Sequence, residues 1–243
     1  MLLAIDAGNS QIKLAIFSND QLLEKTALIY TDNDFEAKLN TWLSKDVEPV
    51  GLVSVNKSNL KDKIKSISKK KVFNIDYKVK FPFKIDNESP KTIGIDRLAA
   101  CTGAHTLNNG KGNFLVIDAG TCITYDLVND SNVHIGGAIS PGISIRSKSL
   151  ERYTANLPRV AIDKKATQVF GKSTHEAIRS GIVNGLLYEI QGYINQIHSN
   201  HSEVKVFLTG GDAFFFEDAL KSSIFAEDNL VLIGINKLIK INA

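Results

Sequence analysis

Apolar positions in the first thirty residues fall into three short runs, residues 2–6, 12–18 and 21–28, and the polar triplet Ser18-Asn19-Asp20 separates the last two. This pattern predicts a strand meander with a tight hairpin. Beyond it, a helix is predicted from a cap at Asp32 or Asp34 through Trp42, because Phe35, Leu39 and Trp42 or Leu43 recur at spacings of three to four. Pro49 marks its exit. The apolar run at 50–55, bounded by Pro49 and Asn56, then has the length of a buried strand in a parallel sheet.

After the polar, glycine-rich break Asn108-Asn109-Gly110-Lys111-Gly112 the pattern restarts. A strand at 113–118 ends in aspartate, Ala119-Gly120-Thr121 follows, and strands at 122–128 and 133–139 continue a second meander. A long helix is predicted over 174–198, where Ile178, Ile182, Leu186, Ile190 and Ile194 recur every fourth residue beside Val183, Leu187 and Ile197. A strand at 204–209 ends in Gly210-Gly211, and short helices are expected at 213–220 and 236–241. Asp6-Ala7-Gly8-Asn9-Ser10 and Asp118-Ala119-Gly120-Thr121-Cys122 each join two apolar strands, 112 residues apart, which signals an internal duplication. Two similar α/β domains, 1–110 and 111–243, are therefore expected.

Composition narrows the class further. In 243 residues, 43% apolar and 23% charged content is that of a globular chain, which excludes disorder, collagen and coiled coil as overall descriptions. A net charge of +3 calls for neither a nucleic-acid nor a membrane partner. The ten lysines between Lys57 and Lys84 read as the solvated face of a helix and loops. Cys101 and Cys122 are too few for a disulfide framework and fit a reducing cytoplasm. Met1-Leu2-Leu3-Ala4-Ile5 has no basic region and meets Asp6 at once, so it reads as a strand and not as a signal peptide or anchor. His105, His134, His175, His198 and His201 show no metal-ligand spacing.

The chemistry concentrates at the duplicated loops. An aspartate at a strand end, followed by a small residue and glycine, sets a carboxylate beside backbone that a phosphate can approach closely. Carboxylate and phosphate repel, so a bridging cation such as Mg²⁺ is implied. Asn9, Ser10 and Thr121 add hydrogen-bond donors, and Lys13 adds charge. A single copy is equally well explained by an Asx-turn; two copies in duplicated halves favour a site. Gly171-Lys172-Ser173 mimics the end of a Walker A loop, but the pattern's first glycine position is Ala166 and no apolar strand leads into it.

The duplicated strand-Asp-x-Gly arrangement resembles the actin, hexokinase and heat-shock-chaperone superfamily, whose two ribonuclease-H-like halves, mixed sheets flanked by helices, clasp ATP between them. Within it, Asp6-Ala7-Gly8-Asn9-Ser10, Gly94-Ile95-Asp96-Arg97, Asp118-Ala119-Gly120-Thr121, Gly136-Gly137-Ala138-Ile139-Ser140-Pro141-Gly142 and Thr209-Gly210-Gly211-Asp212 stand in the order and spacing of type III pantothenate kinase. The resemblance implies ATP-dependent phosphorylation of pantothenate, the first step toward coenzyme A, by a cytoplasmic homodimer that needs Mg²⁺ and a monovalent cation, potassium or ammonium.

By the same resemblance, Asp6, Ala7, Gly8, Asn9, Ser10, Gln11, Ile12 and Lys13 form the phosphate loop, with Asp6 meeting Mg²⁺ through water. Asp118 is the monovalent-cation ligand, Thr121, Gly210 and Gly211 contact nucleotide, and Asn87, Gly94, Ile95, Asp96, Arg97 and Thr174 contact pantothenate. Asp96 is suited to accept the proton of a primary alcohol, and Arg97 to grip a carboxylate with its planar fork. The structural alternative is a helix start in which Asp96 caps or pairs with Arg97. Asn87 stands where the family usually has tyrosine, so either the pocket wall is more polar here or Tyr77 or a residue of a partner subunit substitutes.

Two other classes remain. A non-enzymatic accessory factor that influences transcription would bind ligand without needing a base at Asp96. A sugar kinase, or a phosphatase of polyphosphate or nucleotide, would be the other enzyme class, and 243 residues leave a sugar kinase little room for its recognition insertions.

Overall fold

The meander forms as β1 (Leu2–Ala7), β2 (Gln11–Ser18) and β3 (Gln21–Ile29), followed by α1 (Phe35–Ser44), β4 (Val50–Ser54), α2 (Leu60–Ser68), β5 (Val72–Asn74), β6 (Lys84–Ile85), a 3₁₀ turn at Pro90–Thr92 and α3 (Ile95–Leu107). The structure is a computed structural model that describes residues 1–55, 60–68, 70–163, 167–201, 203–220 and 224–242. The first sheet has the order β3-β2-β1-β4-β5, with β1–β2 and β2–β3 antiparallel and β1–β4 and β4–β5 parallel. Leu3, Ala4, Ile5, Val50, Leu52 and Val53 are all fully buried, as strands covered on both faces require. The edge strand β3 is mostly exposed and carries Glu24 and Lys25, which discourage edge pairing.

The second half repeats this plan with β7 (Phe114–Ala119), β8 (Cys122–Val128), β9 (Val133–Pro141), α4 (Ile143–Tyr153), α5 (Thr174–Asn200), β10 (Lys205–Thr209), α6 (Ala213–Ala219) and β11 (Ile224–Ala226). Its strands run β11-β10-β7-β8-β9, the mirror listing of the first sheet, again with an antiparallel hairpin followed by parallel neighbours. This is the mixed α/β architecture expected from the duplication. β6 pairs with Val133 and His134 at the start of β9.

Two compact units result: Met1–Lys111 with Asn132–His134 and Asn229–Ala243, and Gly112–Ser131 with Ile135–Asp228. Each has its own core. Leu3, Ile5, Leu14, Leu39, Leu52 and Ile64 belong to the first, and Leu115, Ile117, Tyr125, Ile182, Leu186 and Leu208 to the second. The final helix, α7 (Leu230–Asn242), expected to be short and to lie within 111–243, is longer and packs in the first unit. Its sequence explains why: Leu230, Val231, Leu232, Ile235, Leu238 and Ile239 are buried, an apolar surface too wide for one neighbour.

α7 fills the space between the sheet and α3. Ile235 and Ile239 press on β4 at Gly51, where a β-carbon would lie 2.2 Å from Ile239 Cδ1. On the other side, a β-carbon on Gly234 would lie 1.8 Å from the Ala99 carbonyl oxygen, and one on Gly103 2.1 Å from that of Leu230. The two helices thus meet backbone to backbone. At the far end Asn236 Nδ2 donates to the Asn19 carbonyl at 3.0 Å and Lys240 Nζ to Asp20 at 2.7 Å, which ties the β2–β3 turn to the same helix.

The lysine-rich stretch behaves as a solvated face where it is described: Leu60 and Ile64 are buried, while Lys63 reaches Glu36 on α1. Lys57 and Lys69, counted in that stretch, lie outside the described residues, as do Asn56 and Ala166. No helix among the described residues is long and apolar enough to cross a membrane.

Gly234→Ala separates packing from helix propensity. Propensity alone predicts a gain of up to about 1 kcal/mol. The overpacked contact predicts a loss of about 1–3 kcal/mol, or more because the obstacle is backbone, and urea unfolding of the variant reads the sign.

Candidate functional site

Asp6 is the penultimate residue of β1, in register with Lys13 on β2 and Val53 on β4. The chain then turns through Gly8-Asn9-Ser10, closed by the Gly8 amide donating to the Gln11 carbonyl at 3.1 Å, and Tyr30 Oη donates to the Gly8 carbonyl at 3.0 Å. Asn9 and Ser10 are exposed, and Gly8, Gln11 and Lys13 are half-buried. Ala7 and Ile12 are fully buried, so their side chains serve the core and only their backbone is available to a ligand.

Asp118 holds the corresponding penultimate place in β7, in register with Thr124 on β8 and Thr209 on β10. Its turn is one residue shorter: the Gly120 amide donates to the Cys122 carbonyl at 3.0 Å, leaving Thr121 exposed at the tip. Two glycines from elsewhere close on this loop. A β-carbon on Gly210 would lie 2.5 Å from Asp118 Oδ1 and 2.4 Å from the Ala119 carbonyl oxygen, and φ of +98° at Gly210 is itself glycine territory. A β-carbon on Gly142 would lie 2.3 Å from the Gly120 carbonyl oxygen, and the Gly142 amide donates to the Thr121 carbonyl at 3.1 Å. Asp118 Oδ1 and the Ala119 carbonyl oxygen thus lie together at Gly210, and the Gly120 and Thr121 carbonyl oxygens at Gly142, oxygen groups of the kind a hard cation takes.

The turn after β10 leads into α6. Asp212 donates its amide to the Ala119 carbonyl at 2.9 Å, and it lines a cavity of about 600 Å³ with Ser144 and Lys148 of α4 and Arg159. Gly211 has no described atom within 4 Å of a β-carbon position, so that flank is open to close approach.

In the first unit, Asp96 and Arg97 stand in the first turn of α3, with Gly94 as the N-terminal flank. Asp96 Oδ1 accepts from the Arg97 amide at 2.9 Å, and a β-carbon on Gly94 would lie 2.5 Å from that same oxygen. Glycine is therefore what allows the carboxylate to fold back over the helix start, where unpaired amides and the helix dipole favour negative charge. Buried Ile93 and Leu98 fix the turn on either side, and Ile95 is half-buried. Asn87 forms an Asx-turn with the Ser89 amide at 2.7 Å and is exposed. Lys91 Nζ lies 5.8 Å from the Tyr77 ring centre, so Tyr77 borders the segment between Asn87 and Gly94.

Thr174 is exposed at the first position of α5, behind a capping box formed by Ser173 and Glu176. The Walker-like Gly171-Lys172-Ser173 wraps this cap: the Lys172 and Ser173 amides donate to Glu176 Oε2, and Gly171 is pressed against the Glu176 backbone. These amides are spent on the helix, which accounts for the resemblance to a phosphate loop without its chemistry.

Sequence reasoning missed α4 and the cavity it lines. The available signal was Pro141-Gly142 followed by Ile143, Ser147 and Leu150 at helical spacing, obscured by the serines and basic residues between them.

Comparison with known proteins adds an independent line. A family model described as type III pantothenate kinase matches residues 2–196. A type III pantothenate kinase of Flavobacterium johnsoniae is 41% identical over 235 residues, covering 96% of this chain and 94% of that protein. One from Christiangramia forsetii is 40% identical over 244 residues, covering 100% and 99%. Among solved structures, a conserved Campylobacter jejuni protein described as a candidate Baf family transcriptional activator aligns with a TM-score of 0.62 at 25% identity, covering 98% of this chain and 97% of that one. A Sinorhizobium meliloti protein described as a candidate 2-dehydro-3-deoxygalactonokinase aligns at 0.56 with 13% identity, covering 99% and 96%, and shares the fold.

Gly210→Ala tests the closure on Asp118. The left-handed φ and the 2.4–2.5 Å obstacles together predict a loss of about 1–3 kcal/mol or more, measured by thermal unfolding, whereas Gly211→Ala should leave stability within about 0.5 kcal/mol.

Proposed function

The chain belongs to the type III pantothenate kinase family and carries out ATP-dependent phosphorylation of pantothenate, the first step toward coenzyme A, and from that premise we propose how its residues divide the work. Asp96 is the general base that takes the proton of the primary hydroxyl as the γ-phosphoryl group transfers. What supports this role is the family motif Gly94-Ile95-Asp96-Arg97 at the head of α3, where Asp96 is half-buried and Gly94 leaves room for its carboxylate; the bond from the Arg97 amide serves a cap equally well. Arg97, one residue on, holds the substrate carboxylate by its fork. Ile95 and Gly94 supply the adjoining wall, Tyr77 substitutes for the aromatic side chain absent at Asn87, and Thr174 contacts pantothenate.

The nucleotide engages the turns. Amides and hydroxyls of Gly8, Asn9 and Ser10, with Gln11, the Ile12 backbone and Lys13, receive phosphate oxygens. Thr121 adds a hydroxyl, Gly210-Gly211 allows the nucleoside to approach, and the cavity beside Asp212 accepts it. Asp6 and Asp118 offer oxygen ligands suited to Mg²⁺, through water, and to potassium or ammonium respectively. When bound, these cations offset the phosphate charge that the two aspartates alone would repel. Asp118→Ala is expected to abolish activation by potassium or ammonium in a coupled assay with ATP, Mg²⁺ and pantothenate, while unchanged activation moves the ion to another site. Wild-type enzyme that yields no 4′-phosphopantothenate with either ion present returns the chain to the accessory-factor reading.

The enzyme works as a homodimer that pairs through α5. Gly181, Gly185 and Gly192 have no described atom within 4 Å of a β-carbon position, and Tyr188, on the same face, is exposed. These glycines are therefore not packed against their own sheet, and their spacing leaves a strip where another backbone can approach. A count of only two cysteines, Cys101 and Cys122, supports a cytoplasmic setting. Light scattering should give a dimer at assay concentration, and Gly185→Leu should shift it toward monomer. A fully active wild-type monomer refutes the assembly; an unaffected dimer in the variant refutes the role of this face.

A further inference from the structure

Glu189, midway along α5, is about three-quarters covered, as is Arg146 on α4, with which it forms an ion pair. Its carboxylate is fully engaged. Oε1 accepts from Tyr125 Oη on β8 at 2.9 Å and from Ser140 Oγ near the end of β9, and Oε2 accepts from Arg146. Burial would raise the Glu189 carboxyl, but donors from Ser140, Arg146 and Tyr125 outweigh it and hold the group below the ordinary glutamate range. Tyr125, stacked on Tyr193 with ring centres 4.1 Å apart, is pushed the other way by burial and by its bond to Glu189, and stays a neutral donor.

A half-buried ion pair is a poor source of stability, since apolar side chains of similar volume usually do as well. What this one supplies is position. Arg146 Nε also donates to the Pro141 carbonyl at 2.7 Å, so Glu189 anchors the chain at Ser140 directly and at Pro141 through Arg146. Gly142 follows immediately, its amide on the Thr121 carbonyl and its α-carbon against the Gly120 carbonyl. Any drift of Ser140-Pro141-Gly142 is transmitted to that loop, because a contact too close for a β-carbon has no slack.

We propose that Glu189 is a positioning residue for the Asp118–Thr121 loop: through Ser140 and Arg146 it holds Gly142 against Gly120 and Thr121, and so sets the geometry in which Asp118 takes up the monovalent cation and Thr121 the nucleotide. The inference rests on the reading of that loop given above. Glu189→Gln keeps the shape of the side chain and removes the charge that organises the three donors. It should raise the half-saturating potassium concentration and the KM for ATP about tenfold, the usual scale for losing a partner that orients a ligand loop, with the KM for pantothenate within about twofold. A merely structural role would lower the melting temperature and the active fraction, and leave these constants alone.

Thr121→Ala and Arg146→Gln accompany it. Arg146→Gln should shift the same two constants, and the double variant with Glu189→Gln should be no worse than the more affected single one, because both act through one network. If Thr121→Ala moves the KM for ATP while Glu189→Gln moves neither constant, Glu189 is structural and the loop reading stands. If neither variant moves them, the loop reading fails and the proposal with it. Should Glu189→Gln not fold, Ser140→Ala, which removes one anchor and keeps the ion pair, decides: a smaller shift in the same direction supports the proposal, and unchanged constants overturn it.

Discussion

The contact between α3 and α7, where Gly103 and Gly234 bring two helix backbones together, governs the rest of the first unit. Because each β-carbon position is occupied by a carbonyl of the other helix, the pair has one register and cannot slide without losing contact along its length. α7 is also seated on Gly51 of β4 and tied to the β2–β3 turn through Asn236 and Lys240. Since β4 pairs with β1 with Val53 beside Asp6, the same helix that fixes α3 fixes the strand that carries Asp6. The two candidate site carboxylates of this unit, Asp6 and Asp96, thus stand on backbone fixed by one packed layer.

The second unit reaches the same kind of precision by different means. Its aspartate turn is one residue shorter and is hemmed in by Gly142 and Gly210, whereas the first turn is held by the Tyr30 hydroxyl on the Gly8 carbonyl. Duplication preserved the strand order and the Asp-Ala-Gly sequence; the supports around each loop diverged. Such divergence suits the different tasks proposed for the two turns: exposed donors such as Asn9 and Ser10 for phosphate, and oxygens beside close glycine neighbours for a cation.

Much of this was legible in the sequence, and the limits have physical causes. The strands, the long helix α5 and the duplicated Asp-Ala-Gly turns announce themselves because period-two and period-four apolar patterns map directly onto buried faces. α4 did not, since Arg146, Ser147, Lys148 and Ser149 interrupt its apolar stripe; it buries little beyond Ile143 and Ser147. The membership of α7 was misjudged because chain order says nothing about which unit a terminal helix will cover, and its apolar surface on several faces was the clue. Of the site, Asp96 was visible as a motif but ambiguous between base and cap. The geometry adds that its carboxylate accepts a helix-start amide and that Gly94 leaves room for it, which is the capping arrangement; the base role stays a proposal. Glu189 could not be singled out, because its partners on β8, β9 and α4 converge only in three dimensions.

The central claim is that the carboxylate folded over Gly94 removes the proton. Asp96→Asn preserves shape and the amide contact while abolishing basicity, so single-turnover phosphorylation of pantothenate, followed with saturating ATP and cations, tests it most directly. The account predicts a rate lower by about 10²- to 10⁴-fold with pantothenate binding retained. A variant that keeps more than about half of the wild-type rate when chemistry limits turnover would show that Asp96 is only a helix cap and that the base lies elsewhere.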